Sequence, residues 1–312
     1  MTTLAQPFKW CVLLALPLCI PSAIGDEQAE MMGSLDMPDD QMARFSPDSK
    51  MPTRGTVDSV RLVRADGWEW DHEVRVYLPP GYHLDDRKYP ALWITDNNLE
   101  LIQGALIGDA LGFSPELIVV AVGAPPETNP AEFQRRRSFD FIPEKSLMGP
   151  MFAPMPAESI GGAPGFLDFL VNQLRPMLAG EYRMDLNDQG YAGHSGGGQF
   201  GLYVLLNKPE SFDKYIISSP AAYQPWLDME ERWHEKNNDL KAKVFLSAGE
   251  GEAAHPIWSA AEIVSTVATM AERLTVRRYP SLELTVRIFP GEDHLTVMPI
   301  AYTRGIRVLW EM

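Results

Sequence analysis

Within a chain of 312 residues, Tyr191-Ala192-Gly193-His194-Ser195-Gly196-Gly197-Gly198 sets one serine among four glycines in the spacing Gly-x-Ser-x-Gly. An apolar run precedes the serine and a helical run over 199–206 follows it, so it stands at a strand-to-helix turn. Such a turn reverses the chain so sharply that neighbouring side chains would collide. It therefore needs flanking glycines, and it lifts the hydroxyl above the strand end. The helix that follows points its N-terminus at negative charge developing beside the hydroxyl. The chemistry this permits is nucleophilic attack on a carbonyl carbon. A phosphate-cradling loop would also join a strand to a helix, but both the Gly-Lys-Ser/Thr ending and the spaced dinucleotide glycines are missing.

A serine hydroxyl is a poor nucleophile at neutral pH without a base beside it. The turn is the nucleophile elbow of α/β-hydrolases, in which the chain order is serine, acid, histidine. His234, His255 and His294 follow Ser195. His294, in Pro290-Gly291-Glu292-Asp293-His294, comes directly after a strand-like run near the C-terminus, where a loop can carry it back over the elbow; it is the expected base. His234 lies in the charged stretch 230–236, which reads as a solvated face, and His255 follows an expected active-site loop and could line a pocket. His72 and His83, ahead of the serine, read as surface or core. The acid is expected after the run at 243–247, where the chain continues Ala248-Gly249-Glu250-Gly251-Glu252. Two carboxylates compete there. Glu252 is preferred to Glu250 because hydrolases of this type place the acid three residues beyond the glycine that ends the strand. Its task is to receive the imidazole N–H, fix the tautomer and stabilise the imidazolium formed during attack.

From about Val74 onward the chain resembles the esterase family that includes ferric-siderophore hydrolases and relatives of esterase D. The likeness is spread over Val76-Tyr77-Leu78-Pro79-Pro80-Gly81-Tyr82, Lys88-Tyr89-Pro90, Arg137-Ser138-Phe139-Asp140-Phe141-Ile142-Pro143, Gly161-Gly162-Ala163, Ser219-Pro220, Gly249-Glu250-Gly251-Glu252 and His294. The resemblance supports Ser195 and His294 and points to Glu252. It also implies an oxyanion hole made by the N–H of Gly196 and an N–H after the strand ending at Thr95, assigned to Asn98. Here the chain departs from the family, which usually has Asp-Gly where Asp96-Asn97-Asn98 stands. Arg137 and Asp140 match a motif beside the active site. Arg137 is a candidate for holding an anionic part of the substrate, the alternative being an Arg–Asp pair that fixes the loop. His194 and Asn97 are further candidates for substrate contact.

These residues need elements to hold them. Apolar runs at 57–63, 73–78, 91–95, 117–122, 190–192, 214–218, 243–247 and 284–289 read as strands, and the spacing over 165–178 and 257–274 is helical. Helices alternating with strands imply one mostly parallel sheet covered on both faces, with ligands at the carboxyl ends of the strands. The loops over 124–164 carry no readable code for the substrate.

Composition narrows the rest. The formal net charge of -15 disfavours nucleic acid and anionic membrane surfaces as partners, and no later segment is apolar for long enough to span a bilayer. Residues 1–25 have the order of a signal peptide: Lys9, then the apolar run Trp10 to Ile20, then small residues before Asp26. Cleavage there would remove both cysteines, Cys11 and Cys19, which suits an oxidising compartment. Residues 26–55 read as a flexible segment and 56–312 as one catalytic domain. The expected activity is hydrolysis of a small-molecule carboxylic ester through an acyl-serine, with no cofactor and no metal. Acyl transfer with the same residues, or a silent binding protein on the same fold, are the alternatives.

Overall fold

The computed structural model describes residues 55–96, 115–147, 156–221 and 224–310. The leader read at 1–25, nearly all of the 26–55 segment, and Asn97 and Asn98 lie outside the described residues. Each apolar run predicted as a strand becomes one: β1 (Thr56–Arg64), β2 (Asp71–Leu78), β3 (Tyr89–Thr95), β4 (Ile118–Gly123), β5 (Met184–His194), β6 (Lys214–Ser218), β7 (Ala242–Gly249) and β8 (Leu282–Phe289). They form one sheet in the order β1-β2-β4-β3-β5-β6-β7-β8. Only β2 runs against its neighbours; every pairing from β4 to β8 is parallel. This is the sheet of an α/β-hydrolase.

The strands alternate between two apolar layers. Val76, Trp93, Val120, Tyr191, Ile217 and Leu246 face one layer, while Tyr77, Leu92, Val119, Ala192, Ile216 and Phe245 face the other. Each fully buried aliphatic or phenyl side chain contributes about 1.5–3 kcal/mol relative to exposure. Over the first layer pack α1 (Pro130–Phe141), α2 (Ala163–Asp168), a π-helical stretch (Phe169–Leu174), α3 (Arg175–Glu181), α4 (Gly196–Leu205), α5 (Gln224–His234), α6 (Pro256–Ala260) and α7 (Ile263–Arg277). The second layer is closed among the described residues by α8 (Val297–Leu309), through Tyr302, Ile306 and Leu309. No helix of the described residues is long and apolar enough to cross a membrane.

Four sequence expectations change. The helix expected over 165–178 is broken by the π-helical stretch just ahead of Pro176, whose ring nitrogen has no proton for the helical ladder. The helix expected over 257–274 divides at Glu262, which takes a left-handed conformation with φ 52°. Within the region read as uncoded loops, α1 forms, with Asn129 capping the amide of Glu132 at 3.0 Å and Pro130 in the first turn. The stretch 230–236 is not simply a solvated face either. Glu230 is fully buried, accepting from Arg277 at 3.1 and 3.2 Å and from the Tyr279 hydroxyl at 3.1 Å, which ties α5 to α7.

Candidate active site

Ser195 sits at the carboxyl end of β5, ahead of α4, with φ 57° and ψ -117°. The turn is held by its backbone: the Ser195 amide donates to Ser218 O at 2.9 Å, and the Ser195 carbonyl accepts from Gln199 at 2.9 Å. A Cβ on Gly193 would come within 2.3 Å of Gly197 O, which accounts for the first glycine of the motif. Ser195 is half-buried, and beside it Gln134, Arg137, Ser138, Phe141, Ile142, Gly196 and Gln199 line a pocket.

His294 follows β8, and Glu252 lies in a short 3-10 turn (Glu250–Ala253) after β7. Both are buried, at 4% and 0% exposure. One Glu252 oxygen is hydrogen-bonded to His294 Nδ1, and the other accepts from Ser219 Oγ at 2.9 Å and from the Gly249 amide at 2.8 Å. A carboxylate this occupied has little freedom to rotate away from the imidazole. The two loops are fastened backbone to backbone, since the Gly251 amide donates to Glu292 O at 2.9 Å and a Cβ on Gly249 would lie 2.4 Å from that same oxygen. Asp293 accepts from the amides of Leu295 and Thr296 at 2.8 and 2.9 Å, closing the turn that presents His294. Those bonds, the Thr296 amide foremost, hold the Asp293 carboxyl below its ordinary range. Glu250, the competing acid, is exposed and accepts from the Gly291 amide at 3.1 Å.

His194, directly before the serine, has its ring 4.6 Å from that of His294 and meets Ser218 Oγ through Nδ1 at 3.0 Å. Burial first, then the nearby His294 and Arg137, drives its pKa well below the usual imidazole value, so it is neutral at neutral pH. Trp258 on α6 stacks on His294 with centroids 3.8 Å apart, and His255 stacks on Trp258 at 5.9 Å. His234 meets the Tyr279 ring with centroids 5.7 Å apart. His72 is buried and bonded to Asp140 at 2.9 Å, and His83 is exposed.

Arg137 does not pair with Asp140. Its Nε and Nη2 bind both oxygens of Asp96 at 2.8 and 2.9 Å, and Nη2 also reaches His194 O at 3.3 Å. Asp140 is turned into the core, where it accepts from Trp68 Nε1 at 2.8 Å and faces His72. Arg137 thus ties the end of β3, where Asp96 has φ 65°, to the elbow. Sequence reasoning missed Trp258, the Ser219 bond and the Asp96 clamp. For Ser219 and Asp96 a signal existed in the Ser-Pro and Asp-Asn motifs; for Trp258 there was none.

A family model described as "Putative esterase" matches residues 66–294. The chain is 30% identical over 270 residues to the siderophore triacetylfusarinine C esterase of Aspergillus fumigatus, covering 78% of this chain and 85% of that protein. It is 33% identical over 153 residues to the ferri-bacillibactin esterase BesA of Bacillus subtilis, covering 47% of this chain and about half, 51%, of BesA. Among solved structures, siderophore hydrolase EstA from Aspergillus nidulans superposes with a TM-score of 0.68 at 22% identity, covering 80% of this chain and 93% of EstA. The BES protein from Bacillus cereus gives 0.67 at 23% identity, covering 80% and 94%. At those identities the two structures speak for the fold.

Proposed function

Since the chain belongs to the esterase family whose model spans residues 66–294, we propose that it hydrolyses a carboxylic ester through an acyl-serine, with Ser195 as nucleophile, His294 as base and Glu252 as acid. The observation that carries this is the buried Glu252–His294 pair set against the elbow. As Ser195 Oγ bonds to the carbonyl carbon, its proton passes to His294 Nε2 and the carbonyl π pair moves onto oxygen. The resulting imidazolium faces the Glu252 carboxylate through Nδ1. Collapse of the tetrahedral intermediate expels the alkoxide, which takes the proton from Nε2. Water then attacks the acyl-serine by the same route in reverse, releasing the acid. The Gly196 amide, at the N-terminus of α4, and the Asn98 amide are the proposed donors to the oxyanion. The Asp96 clamp occupies most of the Arg137 guanidinium, which favours a bracing role for it over direct substrate binding.

The relatives named above as siderophore esterases make a siderophore-type ester the first substrate to try. The test is a panel running from short p-nitrophenyl esters to trilactone siderophores, given to the purified protein. Release of acid and alcohol from at least one member is expected, and inertness across the panel would remove the proposal.

The choice of acid has its own test. Glu252→Gln keeps the shape but offers an amide in place of the charge, so turnover should fall on the order of 10³-fold with KM little changed. Glu250→Gln removes only an exposed carboxylate bound to the Gly291 amide and should cost a few-fold at most. A severe loss for Glu250→Gln beside a mild one for Glu252→Gln reverses the assignment.

Export belongs to the same proposal, on the charge and hydropathy order of residues 1–25. Expressed in a bacterial host with its native N-terminus, the protein should be recovered outside the cytoplasm starting near Asp26. Intact-mass measurement checks this, and an unprocessed chain in the cytoplasmic fraction counts against it.

A further inference from the structure

His294 is touched by a ring that the mechanism above does not use. Trp258 lies nearly parallel to it, with planes 21° apart and centroids 3.8 Å apart, closer than an ordinary aromatic pair. The placement is built. Trp258 sits on the five-residue α6, whose first amide beyond Pro256, that of Ile257, is capped by His255 Nδ1 at 3.3 Å. The Ala261 amide bonds back to Ile257 O and Trp258 O at 3.2 Å, and the left-handed Glu262 turns the chain away from α6 into α7. Part of the indole packs on the main core and the remainder is exposed, with the His255 ring over it.

The face of an indole carries negative potential and attracts a cation held over it. In the role of base His294 gains its positive charge by taking the Ser195 proton. An indole face against this imidazole therefore interacts more strongly in the transition state than in the ground state, which is the condition for raising turnover rather than binding. The groups facing His294 leave that cation where it forms. Glu252 receives Nδ1, while Asp293 in the same loop is occupied by the amides of Leu295 and Thr296. Arg137, which reaches the neighbouring His194 carbonyl, carries a fixed positive charge. His194, the second ring against His294, is buried and bonded to Ser218, so it does not compete for the proton.

We propose that Trp258 is a positioning residue for the base, holding the His294 ring in plane with Glu252 and stabilising the imidazolium by face-on contact. This rests on His294 being the base, as proposed above. The decisive probe is tryptophan with one, two and four ring fluorines, inserted at position 258 alone through a recoded codon. Fluorination drains the face potential while nearly keeping the shape. We expect kcat on one good ester to fall stepwise, reaching about a tenfold loss with four fluorines, while KM stays constant. Trp258→Phe should fall part of the way, and Trp258→Leu at least as far as the tetrafluoro form. A kcat that stays flat across the fluorine series overturns the proposal, and so does a rise in KM at constant kcat, which would make Trp258 a substrate contact. The isosteric series stands even if Trp258→Leu fails to fold. His294→Ala run alongside separates the two levels: if it is active, the base assignment falls; if it is inactive and the fluorine series is flat, only the role given to Trp258 falls.

Discussion

Ser195→Ala is expected to abolish ester hydrolysis, with a loss in turnover on the order of 10⁵-fold, while the protein stays folded. The elbow is held by the Ser195 amide and carbonyl, both kept by alanine, and the half-buried side chain contributes little packing. Alanine must take up the same positive φ at much the same cost as serine, so the melting transition should move little. The measurement is turnover on the best ester of the panel, with a thermal melt as the folding check. A variant with turnover within tenfold of the parent, and the same melt, would mean that the nucleophile lies elsewhere.

The second large effect is at the base. His294→Ala removes the proton acceptor and leaves Glu252 buried with one oxygen unpartnered, so turnover should drop on the order of 10⁴-fold and some stability should go with it. His255→Ala is the control. It deletes the cap of α6 and a ring stacked on Trp258 from an exposed position, which should cost a few-fold in turnover and about 1 kcal/mol at most in stability. Should His255→Ala turn out to be the inactive variant and His294→Ala the active one, the base has been misassigned.

Much of this was legible in the residues because parallel strands covered on both faces must be nearly continuous apolar runs, and turns bound them. Leu117 to Val122 is such a run, and so is Lys243 to Ser247. β5 is longer than its apolar core because residues 185–188, among them the exposed Leu186 and Asn187, bulge out of register between the buried Met184, which pairs with Tyr89, and Gln189, which pairs with Ala91. The helix α1 escaped pattern reading because its charges do not keep to one face: Glu132 is shared by Arg135 and Arg136, and Asp140 points inward. Its Asn129-Pro130 start was the available sign. α8, over which no helical run is marked in the sequence, carries Pro299 in its first turn, where a missing N–H costs nothing.

At the site, Ser195, Glu252 and His294 could be named because an elbow motif and a chain order constrain them. The rest depends on which loops meet. Arg137 was expected either to touch substrate or to pair with Asp140, three residues on, but it reaches Asp96, 41 residues away, because α1 lies across the end of β3. Ser219 and Glu252 are 33 residues apart and meet because β6 and β7 are neighbours. No local spacing encodes such meetings; sheet order does.

The backbone of Ser195 has a consequence for anyone evolving this protein in the laboratory. At φ 57° and ψ -117° a side chain is held where it costs about 1–3 kcal/mol, a sizeable share of the roughly 5–15 kcal/mol by which proteins of this kind stay folded. Glycine would occupy that conformation with far less strain, although it would also loosen the unfolded chain. Heat resistance and turnover therefore pull against each other at a single codon. A library screened for thermal tolerance alone will drift toward glycine at 195 and accumulate sturdy, inert variants, so any such screen has to demand ester cleavage in every round.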